Sequence, residues 1–230
     1  DVKRVRKAIA KGAAPAHSFT LRTRESFGPQ GTRGLSVAAF CELAEVVSQA
    51  PNGLLSVIND LVLDIFGWRS INLDVPAQLL LLGRSLLERF DFDTNNQNMA
   101  SRVTELANRC IQGADGELVA RTLAAKLAAA MEDYKTPTHF WGDLARELFK
   151  HQPAVALDHF MLGGKNAKRT LRAANFYRRG PVVHAAPVED VIKWVSVDPD
   201  ARTMLVAGHT SLVERKSAPK ESAFDDIGET

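Results

Sequence analysis

Apolar residues along the middle of this chain return every three or four positions, the spacing of one face of an α-helix. In "LSVAAFCELAEVVSQA" the stripe runs through Val37, Phe40, Cys41, Ala44 and Val47. "NGLLSVINDLVLDIFGW" places Leu54, Leu55, Ile58, Leu61, Val62 and Ile65 at helical spacing, with Asn52 positioned as an N-cap. "DVPAQLLLLGRSLLERF" opens with Asp74 and a proline in its first turn. Its run from Leu79 to Leu82 is apolar all round, so this helix is expected to be central.

The pattern continues through Met99, Val103, Leu106, Ala107 and Cys110, closed by Gly113. It resumes through Val119, Leu123, Leu127, Ala130, Met131 and Tyr134, and again after Thr136-Pro137 through Phe140, Trp141, Leu144 and Leu148. Shorter helices are expected over 153–162, 165–178, 187–196 and 199–213, the last opening at Asp198-Pro199. No stretch alternates with a turn partner as a strand would. The fold class is therefore all-α, with short connections that make successive helices antiparallel neighbours, as stacked helical hairpins in an α-solenoid-like array or an irregular bundle. Leu80, Leu81 and Leu106 are expected in its core.

Three regions follow from composition. Residues 1–34 read as a basic N-terminal helix and a linker, since 12–34 are rich in Gly, Pro, Ser, Thr and Arg. Residues 35–213 form the helical domain. Residues 214–230 read as a weakly structured tail with Phe224 as its apolar anchor.

At 230 residues, 45% hydrophobic and 24% charged, the chain has the composition of a soluble globular protein able to bury a core. The net charge of +2 is too small to specify a polyanionic partner, but its distribution is uneven. Val37 to Lys135 carries eight Lys/Arg against thirteen Asp/Glu, whereas Val2 to Arg24 carries seven basic residues and no acid. Cys41 and Cys110 lie on apolar helical faces and read as free thiols of a reducing, cytoplasmic compartment. No apolar run reaches a membrane span, and the basic start leads into "AIAKGAAPAHS" rather than the apolar core of a signal peptide.

Superposing "ELFKHQPAVALDHFM" on "KWVSVDPDARTMLVA" puts Pro153 over Pro199 and pairs Leu148 with Trp194, Phe149 with Val195 and Phe160 with Val206. Over about 137–213 this period and helical pairing resemble HEAT and armadillo repeats. The resemblance implies a stacked array whose function lies in the charge and shape of its surface, an interaction module or scaffold.

Motifs for chemistry are incomplete. Gly164-Lys165 has the centre of a phosphate loop, but His159 stands where the first glycine belongs and Asn166 replaces the hydroxyl. "DFDTNNQ" starts like an EF-hand with Asp91, Asp93 and Asn95, yet Asn96 and Arg102 occupy the glycine and glutamate positions. His139, His151 and His159 lack the i,i+4 spacing of a helical zinc pair. No catalytic motif is present, and neither cofactor nor metal is expected, so the reading leans away from an enzyme.

The strongest site signal is cationic. Lys165, Lys168, Arg169 and Arg172 stand at i, i+3, i+4 and i+7, on one face of a helix, with Leu171 and Phe176 off that face as anchors. Tyr177, Arg178 and Arg179 extend the segment, inside a stretch between Asp158 and Glu189 that has no carboxylate. Such a stripe suits an anionic partner. A solvated helix face accounts for the stripe without any partner; as a binding site, the first expectation is an acidic protein surface, and the alternative is nucleic acid, held by 2–24 together with 165–179, with Tyr177 stacking on a base or packing.

Overall fold

A computed structural model describes residues 2–10, 20–27, 34–92, 97–132, 141–162 and 185–197. The protein is all-α. Its helices are α1 (Val2–Ala10), α2 (Val37–Ser48), α3 (Gly53–Ser70), α4 (Ala77–Arg89), α5 (Gln97–Cys110), α6 (Glu117–Glu132), α7 (Gly142–His151), α8 (Pro153–Leu157) and α9 (Val188–Val197). Short 3₁₀ turns occupy Glu25–Phe27 and Ala114–Gly116, and a single π-turn, Asp158–Leu162, continues α8. Among the described residues the strand-like pairing is one isolated bridge between Thr23 and Leu35. No helix among them is long and apolar enough to cross a membrane.

The apolar stripes face one core. Phe40, Ala44 and Val47 of α2, Val103, Leu106, Ala107 and Cys110 of α5, Val119, Leu123 and Leu127 of α6, and Trp141, Leu144 and Leu148 beside or on α7 are all buried in it. Both cysteines are free. Cys110 is buried with its thiol pushed up to about 12, chiefly by desolvation, whereas Cys41 is only half-buried.

The central helix is α3, not α4. Ten of the eighteen residues of α3 are buried, spread around its circumference. On α4 the buried set is Leu79, Leu82, Gly83, Leu86 and Leu87. Leu80 is half-buried, and Leu81 is 58% exposed, against expectation. The reason is angular: successive helical residues turn by about 100°, so four consecutive leucines must point in four directions. Leu79 and Leu82 flank the core, which leaves Leu81 on the far side. Gly83 brings α4 close to α5, because a Cβ there would lie 2.7 Å from Cys110 Sγ.

Helix ends differ in detail from the sequence reading. Asn52 precedes α3 in a left-handed conformation (φ 59°), and its side chain caps nothing. Asp74 is exposed and Pro76 is the residue before α4. The α4 C-terminus is closed from outside: Lys126 Nζ donates to the carbonyls of Glu88 (2.8 Å) and Phe90 (3.1 Å) and meets the Asp91 carboxylate at 3.1 Å. A cation there satisfies orphan carbonyls at the negative end of the helix dipole. Asp91, the first residue of the EF-hand-like run, is thus committed to Lys126. Asp93, Asn95 and Asn96 lie outside the described residues, and Arg102 pairs with Glu105.

Aromatic and polar ties fix the C-terminal helices. Phe92 meets Phe90 and Trp141 edge-on, and Phe90 and Trp141 are tilted against each other, with centroids 4.7–5.6 Å apart. Gln152 Nε2 donates to the carbonyls of Ile111 and Gly113, joining the ends of α7 and α5. Trp194 Nε1 donates to Asp158 Oδ1 at 2.7 Å and holds α9 to the π-turn.

Candidate interaction surfaces around helix α3

Helix α3 carries two carboxylates in an otherwise apolar centre, Asp60 (6% exposed) and Asp64 (0%). A charge in that position is tolerated only if fully hydrogen-bonded. Their partners come from the extended segment before α2. The Leu21 N–H donates to Asp60 Oδ2 at 2.8 Å, and the Thr23 N–H to Asp64 Oδ1 at 2.7 Å. The spacings match. Residues i and i+4 of a helix are about 6 Å apart along the axis, and alternate residues of an extended chain about 6.6 Å.

Side chains complete the clamp. Thr23 Oγ1 lies 2.9 Å from Asp64 Oδ2 and 3.1 Å from Oδ1, and it accepts the Trp68 indole N–H at 2.9 Å. Arg22 Nε stands 3.9 Å from Asp64 Oδ1, with its guanidinium 5.6 Å over the Phe27 ring. Gly67 admits the turn that follows, since a Cβ there would meet Ser26 Cβ and O at 2.7 Å. On its other side the segment is tied by the Arg24 N–H to the Leu35 carbonyl and the Leu35 N–H to the Arg22 carbonyl, both 2.9 Å. Burial pushes the Asp60 carboxyl above the usual aspartate range, against the pull of the Leu21 amide and Arg22. With one amide on Asp60 and an amide, a hydroxyl and a nearby guanidinium on Asp64, Asp64 is the stronger anchor.

A different side of α3 faces outward. Phe66 is 65% exposed and, with Val62, Ile65 and Arg69, forms one wall of a shallow cleft. The facing wall is Glu105, Leu106 and Arg109 of α5. Its floor is apolar, and its rim is ionic.

The described parts of the basic N-terminus are α1 and residues 20–24, where Arg22 lies beside Asp64 and Arg24 Nε donates to the Gly34 carbonyl. Val5 and Ile9 pack against the core, while Lys3, Arg4, Arg6 and Lys7 are exposed. The other cationic candidates, Lys165, Lys168, Arg169, Arg172, Tyr177, Arg178 and Arg179, lie outside the described residues, as does His139. His151 Nε2 sits 3.3 Å from Glu147 Oε2, an ion-pair contact when protonated. Among the described residues no group of His, Cys, Asp and Glu is arranged to hold a metal ion.

The periodic stripes did not single out the two aspartates or Phe66. The aspartates leave a trace in the sequence: neither has a basic residue three or four positions away. A carboxylate pair in an apolar helix without such neighbours must find donors elsewhere. Comparison of the chain with protein-family models, curated proteins and solved structures gave no match.

Proposed function

We propose that this chain is a non-catalytic helical interaction module of a cytoplasmic scaffold, built from stacked hairpins in the manner of HEAT and armadillo arrays. Its partner is another protein, which docks on the cleft between α3 and α5. The observation that carries this reading is Phe66. The central helix of the fold presents an aromatic residue to solvent, beside a cleft edged by Arg69 and Arg109. Interface hot spots are enriched in aromatic and arginine side chains, and burying an exposed aromatic under a partner is favourable.

The test compares two baits in an extract of the cells that make the protein, the wild-type chain and a Phe66→Ser variant of equal melting temperature. The expected result is a protein retained by the wild type and reduced at least about tenfold with the variant. Identical sets of retained proteins would contradict the reading.

A second reading, nucleic-acid binding, is favoured by the four exposed cations of α1 in a segment without carboxylates. It requires that generic DNA or RNA be shifted in a steeply salt-dependent manner and that Arg6→Glu with Lys7→Glu weaken the shift. Lys168→Glu with Arg169→Glu tests the second basic segment in the same assay.

A further inference from the structure

We propose that the occupant of the α3–α5 cleft is an acidic, apolar segment of the partner protein. One large apolar side chain packs beside Phe66, and flanking carboxylates are held by Arg69 and Arg109. This rests on the docking reading above and adds the chemistry of the partner.

The two arginines at the cleft differ from the others of their block. Val37 to Lys135 holds thirteen carboxylates against eight Lys/Arg, so a cation there has every opportunity to be paired. Arg84 reaches Asp115 at 4.0 Å, Arg89 reaches Glu45 at 3.2 Å, Arg102 reaches Glu105 at 3.2 Å and Arg121 reaches Glu117 at 2.7 Å. Lys126 takes Asp91. Among the described residues, Arg69 and Arg109 alone of the block's arginines engage no carboxylate, and both edge the same cleft. The acid that lines the cleft, Glu105, is already the partner of Arg102.

Each arginine stands in the last turn of its helix, where a cation also complements the dipole. The dipole accounts for a positive charge at each end. It does not require the two to converge on one apolar depression beside an exposed aromatic. Their planar, forked guanidinium groups suit bidentate capture of carboxylates, and the shallow apolar lining of Val62, Ile65 and Leu106 leaves the exposed Phe66 as the surface on which an apolar side chain packs. A basic segment would bring like charge against both walls.

The test uses the full chain and a fluorescent peptide, ESAFDDIGE, with the sequence of residues 221–229, in which Phe and Ile bracket two aspartates. The expected result is saturable binding that weakens as salt rises. Binding should fall at least about tenfold with Arg69→Glu and Arg109→Glu together, and clearly with the milder Arg69→Gln and Arg109→Gln pair, which guards against misfolding. A peptide with both aspartates replaced by lysine should not bind.

Equal binding of the lysine peptide, indifference to the arginine changes, or no binding would overturn the proposal. So would binding that appears only once Phe224→Ser and Asp225→Lys are introduced into the chain, because the cleft would then belong to the chain's own tail. If the peptide fails while Phe66→Ser still loses a retained protein, docking at the cleft stands and the acidic chemistry falls. If no protein depends on Phe66, the docking reading itself falls.

Discussion

Replacing Asp64 by alanine is expected to cost the fold about 3–5 kcal/mol, the range for removing one partner of a buried charged group. The substitution strips the acceptor from the Thr23 amide and hydroxyl and leaves Arg22 without its nearest carboxylate. Each donor stranded in a buried site carries a penalty of about 1–3 kcal/mol. The effect should also be local. Segment 20–27 would lose its strongest tie to α3, while the stripes of α5, α6 and α7 keep their packing. Urea denaturation followed by circular dichroism measures the total, and hydrogen exchange at the Leu21 and Thr23 amides locates it. A cost below about 1 kcal/mol, the scale of an ordinary hydrogen bond, would contradict a buried clamp.

Leu106→Ala should cost about 2–5 kcal/mol, because a fully buried leucine loses its contacts and leaves a cavity. Leu81→Ala should stay within about 0.5 kcal/mol, as exposed positions do. The pair separates the two leucines by denaturation midpoint alone. A large loss at Leu81 would mean that its outer face of α4 is covered in solution.

That contrast marks where the sequence could be read and where it could not. A stripe such as Val103, Leu106, Ala107 and Cys110 has a phase, because polar residues between its members say which way the helix faces. The Leu79–Leu82 run has no phase, so hydrophobicity alone could not tell Leu82 from Leu81. The same loss of phase hid Phe66, which directly follows Ile65 and points elsewhere. The clamp was hidden for another reason. Segment 20–27 is polar and short, and its order comes from donors meeting carboxylates about forty residues away, as with Thr23 and Asp64. The missing basic neighbours of Asp60 and Asp64 show that donors must come from elsewhere, but not from which segment. The all-α class was legible because it depends on periodicity, which is local.

The cationic stripe from Lys165 to Arg172 was legible as a pattern, but a pattern of charges in sequence names no partner. The cleft differs in that its two walls come from separate helices and converge. Arg69 and Arg109 are forty residues apart in sequence and face one depression in the fold.

Docking of a protein partner at the α3–α5 cleft is read out by a photocrosslinking amino acid placed at position 66 and, separately, at position 118. Phe66 and Leu118 are comparably exposed, 65% and 69%, so solvent access cannot distinguish them. The predicted result is a single crosslinked protein from position 66 in cell extract, suppressed by excess ESAFDDIGE peptide, and none from position 118. Equal crosslinking from both positions, or none from position 66, would contradict docking at the cleft.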